Sequence, residues 1–449
     1  MKKVLSAVAA LGLVAGLATT ASAIEFSLKG KYVAEGYYLS DTLGTTTSTT
    51  TTTDSGGDTT TTTTTRALAG VDLAGPADSD AYYMHTFQLL PTMKINDKIS
   101  MSGDVRIFKE AMWGTGQDDG VTDVDFDKVY MDYASPIGKI RVGRVETSVF
   151  GGKYLDSSSS GNRIMWWPSF MPKPFSLLAF IQKSTEGDAA DKDVNKAADN
   201  DNDVYKLQVG HKSDKGQSAI EYIYNRNATA AATEPVENHH VGVWGKYGLG
   251  NFSVEAELAY KFGENTSTVD WDAFAGMVDV TAKFGPLTPG IMYFYAQGDD
   301  DSTDNDNNAA MAAYSGTGDD FKPLYILTGD HTGILNNDLA DFTPEAHYGG
   351  NIIPNAGVHA IVLHADYKVS DKLTLSGAVA YAMADKEQAG WDDEYGIEYN
   401  VGAAYKLLDN LTYEAHFGFL DTGDFFKQGA SNLNTNDITL VSNHLTMSF

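Results

Sequence analysis

The sequence contains no cysteine, only 12 prolines, and far fewer basic than acidic residues, 32 Lys and Arg against 60 Asp and Glu. Without cysteine there is no disulfide scaffold, no thiolate metal site, no cysteine nucleophile and no lipid-modified N-terminal cysteine. A formal net charge of -28 excludes nucleic acid as a partner, because such binding needs clustered cations to release counterions from phosphates. Beyond Ala23 no run approaches ~18 consecutive apolar residues, so no membrane-spanning helix is encoded. Catalytic signatures are missing too: there is no Gly-x-Ser-x-Gly, no His-Glu-x-x-His and no glycine-rich phosphate loop. The acidic runs, such as Asp299-Asp300-Asp301, lack the spacing of a calcium loop and read as solvated surface bridged to lipopolysaccharide by divalent ions. The expectation is a protein that is not an enzyme and holds neither metal nor cofactor.

What is present begins with an export signature. Met1-Lys2-Lys3 leads into the apolar run Val4 to Leu17 and then Thr19-Thr20-Ala21-Ser22-Ala23, which together describe a cleavable signal over residues 1–23. The remainder, 24–449, is expected to form one domain. Its dominant period is two. Phe252, Val254, Ala256, Leu258, Tyr260 and Phe262 alternate with Ser253, Glu255, Glu257 and Lys261. Leu411, Tyr413, Ala415, Phe417 and Phe419 alternate with Thr412, Glu414, His416 and Gly418. Such runs make strands with one apolar and one wet face. They exceed the ~5–6 residues of soluble strands and match tilted strands that cross a bilayer.

The connections fall into two sizes. Short turns, such as Ser135-Pro136-Ile137-Gly138 and Leu408-Asp409-Asn410, alternate with long polar segments, among them a Thr-rich loop at 41–79, 148–160 and 299–352. Short on one rim and long on the other is the asymmetry of an outer-membrane barrel with periplasmic turns and extracellular loops. Counting strands from 24–40 to 436–449 gives eighteen, or sixteen without the weaker pair 161–169 and 174–184. The fold class is therefore all-β, a transmembrane antiparallel β-barrel. Tyr247, Phe252, Phe284 and Tyr405 beside short turns, and Tyr38, Tyr83 and Trp113 near long ones, suit two interfacial girdles. The alternating end Leu445, Met447, Phe449 resembles the terminal strand by which the assembly machinery recognises barrels.

Placing the polar parity inward gives the candidate pore lining: Asp104, Arg106, Lys128, Asp132, Lys139, Arg141, Lys206, Glu255, Glu257, Glu398 and Glu414. Arg144 joins them only if Gly143 carries a bulge. Cations early in the chain and anions later would set a transverse field; alternatively the charges pair across a wide lumen and confer no selectivity. A barrel this wide needs a loop to narrow it, and 148–160 and 299–352 are the candidates.

The stretch Phe126 to Tyr133 followed by Gly138-Lys139-Ile140-Arg141-Val142-Gly143-Arg144 resembles the alginate-export-type and related bacterial outer-membrane porins, as does Tyr399 to Tyr405 with Gly418 to Asp424. The resemblance implies an eighteen-stranded barrel, passive diffusion of small hydrophilic solutes or ions, and an arginine constriction at Arg141 and Arg144. Homotrimers are expected. Competing expectations are a scaffold barrel sheathing a partner such as a secreted cytochrome, and a saccharide or polysaccharide export channel.

Overall fold

The computed structural model describes residues 24–42, 44–53, 59–68, 71–72, 78–113, 124–146, 152–154, 160–187, 200–229, 234–299, 305–314, 320–329, 334–336, 355–387, 389–427, 429 and 434–449. The signal at 1–23, the acidic stretch 188–199, and parts of the 148–160 and 299–352 connections lie outside them. Alternating apolar and polar residues leave a strand only one way to satisfy both faces and its own backbone in a bilayer. The sheet must close around a wet interior.

That closure is observed. The first nine barrel strands are β1 Glu25–Thr42, β2 Asp78–Lys94, β3 Ile99–Met112, β4 Asp125–Ser135, β5 Gly138–Glu146, β6 Ser160–Pro168, β7 Phe175–Thr185, β8 Asn202–Ser213 and β9 Gly216–Asn227. The remaining nine are β10 Val236–Leu249, β11 Phe252–Glu264, β12 Asp270–Ala282, β13 Leu287–Ala296, β14 Val358–Lys368, β15 Leu373–Met383, β16 Glu394–Leu408, β17 Leu411–Thr422 and β18 Ile438–Ser448. Each pairs antiparallel with the next, and β1 pairs with β18 from Lys31↔Ser448 to Ser40↔Thr439. The pair expected at 161–169 and 174–184 is present as β6 and β7, so the count is eighteen and not sixteen. The two-residue strand Asp306–Asn307 adds to the sheet by lying parallel against Asp270–Trp271, outside the ring.

The outer face is apolar. Leu258, Ile291, Leu363 and Val401 are exposed there, while their neighbours Glu257, Met292, Val362 and Asn400 point in. Phe252, Phe284 and Tyr405 mark one rim, and Tyr38, Tyr83 and Trp113 the other. Tyr37, beside Tyr38 in sequence, is not part of that rim: it is 5 % exposed and sits on the inner parity, stacked on Tyr82 at 5.3 Å. The threonine tract, expected as an unpatterned loop, instead pairs Gly44–Thr53 with Thr59–Leu68 as a hairpin separate from the barrel sheet. Threonine is β-branched, and a uniform tract can pair with itself without a core to bury.

At the foot of β18, Gly30 and Phe449 exchange both backbone hydrogen bonds, at 2.9 and 3.0 Å. On β5 the register runs from Val129↔Arg144 to Ser135↔Gly138 without a break, so Gly143 carries no bulge. Its φ is nevertheless 137°, and a Cβ there would stand 2.3 Å from the Val129 carbonyl oxygen. Gly143→Val is therefore expected to lose about 1–3 kcal/mol of barrel stability, read as a lower temperature for conversion between folded and unfolded bands on a heat-modifiability gel. An unchanged conversion temperature would contradict the strain assigned to this position.

Candidate functional site in the barrel lumen

The lumen has two unlike walls. Strands β2 to β5 carry a charged one. Asp104, its side chain 1 % exposed, accepts from Gln88 Nε2 at 2.7 Å and faces Lys128 Nζ at 3.6 Å and Arg106 Nη2 at 3.9 Å. Arg106 donates to Asp127 at 3.0 Å, and Lys128 also pairs with Glu146. Towards the short-turn rim Arg141 grips Asp132 through Nε and Nη2 at 2.6 and 2.8 Å, with Lys139 3.6 Å from the same carboxylate. Arg141 lies 4.0 Å from the Tyr130 ring centroid and Lys139 4.4 Å from that of Trp167. The pattern continues round the barrel, where Lys206 pairs with Glu221 and Lys246 with Glu255. These cations find carboxylates on the same or an adjacent strand, so the charges pair along the wall instead of segregating across the pore.

The facing wall, β12 to β16, is lined by small apolar residues: Ala273, Ala275, Ala296, Ala360, Ala380 and Ala382, all fully or almost fully buried. They are buried by the chain itself. Part of the 299–352 connection folds inward, and Leu324, Ile326, Leu327 and Leu335 have no exposed surface. Burying side chains of this size contributes about 1.5–3 kcal/mol each, and alanine across from them leaves room for the second layer. The backbone of this layer has no strand to pair with. Glu398 substitutes for one: Oε1 accepts from the Tyr325 and Ile326 amides and Oε2 from Leu327, each at 2.8 Å. Glycine makes the seat possible, since a Cβ on Gly402 would come within 2.4 Å of Tyr325 Oη and one on Gly418 within 3.3 Å of Ile326.

A short helix, α1 (Ala310–Tyr314), is docked by the same logic. Lys261 Nζ donates to the Ala313 carbonyl at 2.9 Å while lying 4.5 Å from the Trp271 ring centroid, and Tyr314 Oη meets His240 Nδ1 at 2.8 Å. Residues 152–154 form a second inward piece. The Tyr154 amide donates to Glu257 Oε2 at 3.2 Å, its hydroxyl donates to the Tyr295 carbonyl at 2.9 Å, and its ring packs 4.8 Å from Phe321. Burial pushes the Tyr154 and Tyr314 phenols above the usual tyrosine range, so both stay protonated at neutral pH.

Of the residues read from the sequence, Asp104, Arg106, Lys128, Asp132, Lys139 and Arg141 lie together on the charged wall, Lys206 and Glu255 form separate pairs further round the barrel on β8 and β11, and Glu414 is on the inner row opposite His444. Three are placed differently. Glu398 and Glu257 do not present carboxylates to an open lumen; they are 0 % and 6 % exposed and hold the inward segments. Arg144 stays on the outer row because the register does not shift, and its Nε donates to the Asp127 carbonyl. The residues not foreseen, Tyr154, Tyr314 and Tyr325, belong to connections. The apolar run Leu324-Tyr325-Ile326-Leu327 inside an otherwise polar segment is the signal that marks the last of them.

Comparison with known proteins adds the following. A family profile described as Gram-negative porin matches residues 7–315. No curated protein sequence matches. Among solved structures, the chain is similar to a BenF-like porin from Pseudomonas fluorescens Pf-5, at 12% identity over 94% of this chain and 99% of that one, TM-score 0.50. It is likewise similar to OpdQ from Pseudomonas aeruginosa, at 12% identity over 94% and 98% of the two chains, TM-score 0.50. At such identities the likeness is one of fold. The narrower alginate-export likeness of residues 126–144 finds no support; that stretch is a strand hairpin whose charges pair locally.

Glu398→Gln keeps the shape but loses the charge that three amides share. Weakened amide bonds cost about 1–3 kcal/mol together, so the inward segment should detach more often. The expected result in single-channel recordings is a noisier and larger conductance than wild type, with normal gel mobility. Unchanged current and noise would show that Glu398 does not hold the segment.

Proposed function

The chain belongs to the Gram-negative porin family, and from that premise we propose that it is a narrowed diffusion channel, in which small hydrophilic solutes and ions pass between a charged wall and two inward segments. It is an outer-membrane β-barrel of eighteen strands. The observation that carries the narrowed reading is Glu398 capping three amides of residues 325–327, because it ties a connection to the wall inside the lumen. A conduit held this way needs no energy coupling and no moving plug. Solutes are sorted by size and by the field at the charged wall.

Within that wall we assign the field near the short-turn rim to Lys139. Arg141 is committed to Asp132 through two hydrogen bonds, whereas the Lys139 side chain is 44% exposed. Phe449, with its strand sealed against Gly30, is the natural handle for the assembly machinery. Association into homotrimers fits the outer surface of β17, β18, β1 and β2. There Asn443 faces outward at mid-strand among Ala415, Gly36 and Ala34, in register with them or beside them. An amide facing lipid is unfavourable, and small neighbours let another subunit approach to bond it.

Two measurements test these assignments. Lys139→Glu should move the zero-current potential in a salt gradient towards cation preference, and an unmoved potential would exclude this wall from selectivity. Asn443→Leu should lower the temperature at which oligomers dissociate on mild-detergent gels while leaving monomer folding intact. Equal dissociation temperatures would remove this face as the subunit contact.

A further inference from the structure

Resting on the diffusion-channel reading, we propose that a cavity beside the inward segment is a binding site for a neutral polyhydroxylated solute of about monosaccharide size. The cavity, about 280 Å³, lies between β13 to β16 and residues 322–325, in the half of the lumen nearer the short turns. Its volume falls just below the ~300–1,000 Å³ of pockets for larger ligands, which suits a single ring.

Its lining is balanced in charge and rich in neutral polar groups. Lys322 and Asp366 both face it, and His364 is already committed to Asp279 through Nε2 at 2.9 Å. An anion or a cation would therefore meet its own charge as well as its complement. The neutral groups remain. Asn400 is 4 % exposed, lines the cavity with the Glu398 carboxylate as a polar neighbour, and neither its Oδ1 nor its Nδ2 has a partner in ordinary hydrogen-bond geometry among the described residues. A buried primary amide offers a donor and an acceptor side by side, and adjacent hydroxyls on a sugar ring answer both at once. Ser376 Oγ lies 3.4 Å from Tyr325 Oη, at the long limit of a hydrogen bond, so the Ser376 hydroxyl can turn to a ligand at little cost. The Tyr325 ring and Met292 supply the apolar surface against which the C–H face of such a ring can rest. Tyr325 is held in place by the Glu398 cap on its amide, so the site is preorganised by the same carboxylate that narrows the channel.

The test is planar-bilayer recording of the refolded protein in potassium chloride with D-glucose added on the short-turn side. Glucose should produce resolved current interruptions whose frequency saturates with concentration. Asn400→Ala should weaken glucose binding roughly tenfold while keeping the open conductance in salt alone. Ser376→Ala, which removes only an oxygen, should act in the same direction and serves should the first variant fail to fold. Current that falls only in proportion to solution viscosity overturns the proposal, as do interruptions by acetate or glycine where glucose gives none. Conduction in salt with indifference to glucose defeats this inference alone, whereas absence of conduction from folded protein defeats the channel reading beneath it.

Discussion

Every backbone amide and carbonyl that lies in a bilayer must be bonded within the protein, and that constraint organises this molecule from seam to pore. A sheet with free edges would leave two rows of groups unpaired. Here the first strand pairs along Lys31 to Ser40 with the last, and the terminal residue itself bonds Gly30. Once the ring is closed, the strand parity has no freedom left. Residues of one parity must meet lipid and those of the other must meet the interior, which is why a chain with 20% charged residues can live in a membrane.

The same constraint reappears inside the lumen in another form. Segments that leave the sheet and fold inward lose their ladder partners and are shielded from water by packing. Carboxylates take the ladder's place: Glu398 for residues 325–327 and Glu257 for Tyr154, with Lys261 answering the Ala313 carbonyl. A charged acceptor can serve several amides at once, which a neutral side chain does less strongly. The apolar half of each inward segment is met by alanines, so one wall is built for close approach and the other for charge. The asymmetry of the lumen follows from where chain, and where water, lies against the wall.

This division also explains what could be read from the sequence. Period-two alternation is a local signal imposed by the closed sheet, and Phe252 to Phe262 or Leu411 to Phe419 display it without any tertiary knowledge. Eighteen strands and the two loop classes were legible for that reason. Parity also identified the inner row, including Asp104, Asp132 and Arg141. What parity cannot report is whether an inward residue meets water or folded chain. Glu255 and Glu257 look identical by pattern, yet one pairs with Lys246 and the other holds Tyr154. Arg144 shows a further limit. Positive φ at Gly143 and a bulge at Gly143 are different backbone events with the same sequence signature, and only the former occurs.

The charge balance of the wall has a consequence for selectivity. Arg106, Lys128, Arg141, Lys206 and Lys246 are each matched by neighbouring carboxylates, so these lumen cations are neutralised where they stand. By sequence much of the surplus behind the net charge of -28 falls between strands, in runs such as Asp118-Asp119 and Asp188 to Asp199. At physiological salt an exposed charge acts over about 8 Å, so a solute in the pore feels the residues it passes and little beyond them. On the proposed reading the less committed Lys139 sets the field and the segment capped by Glu398 sets the room left, so charge and size act within the same lumen.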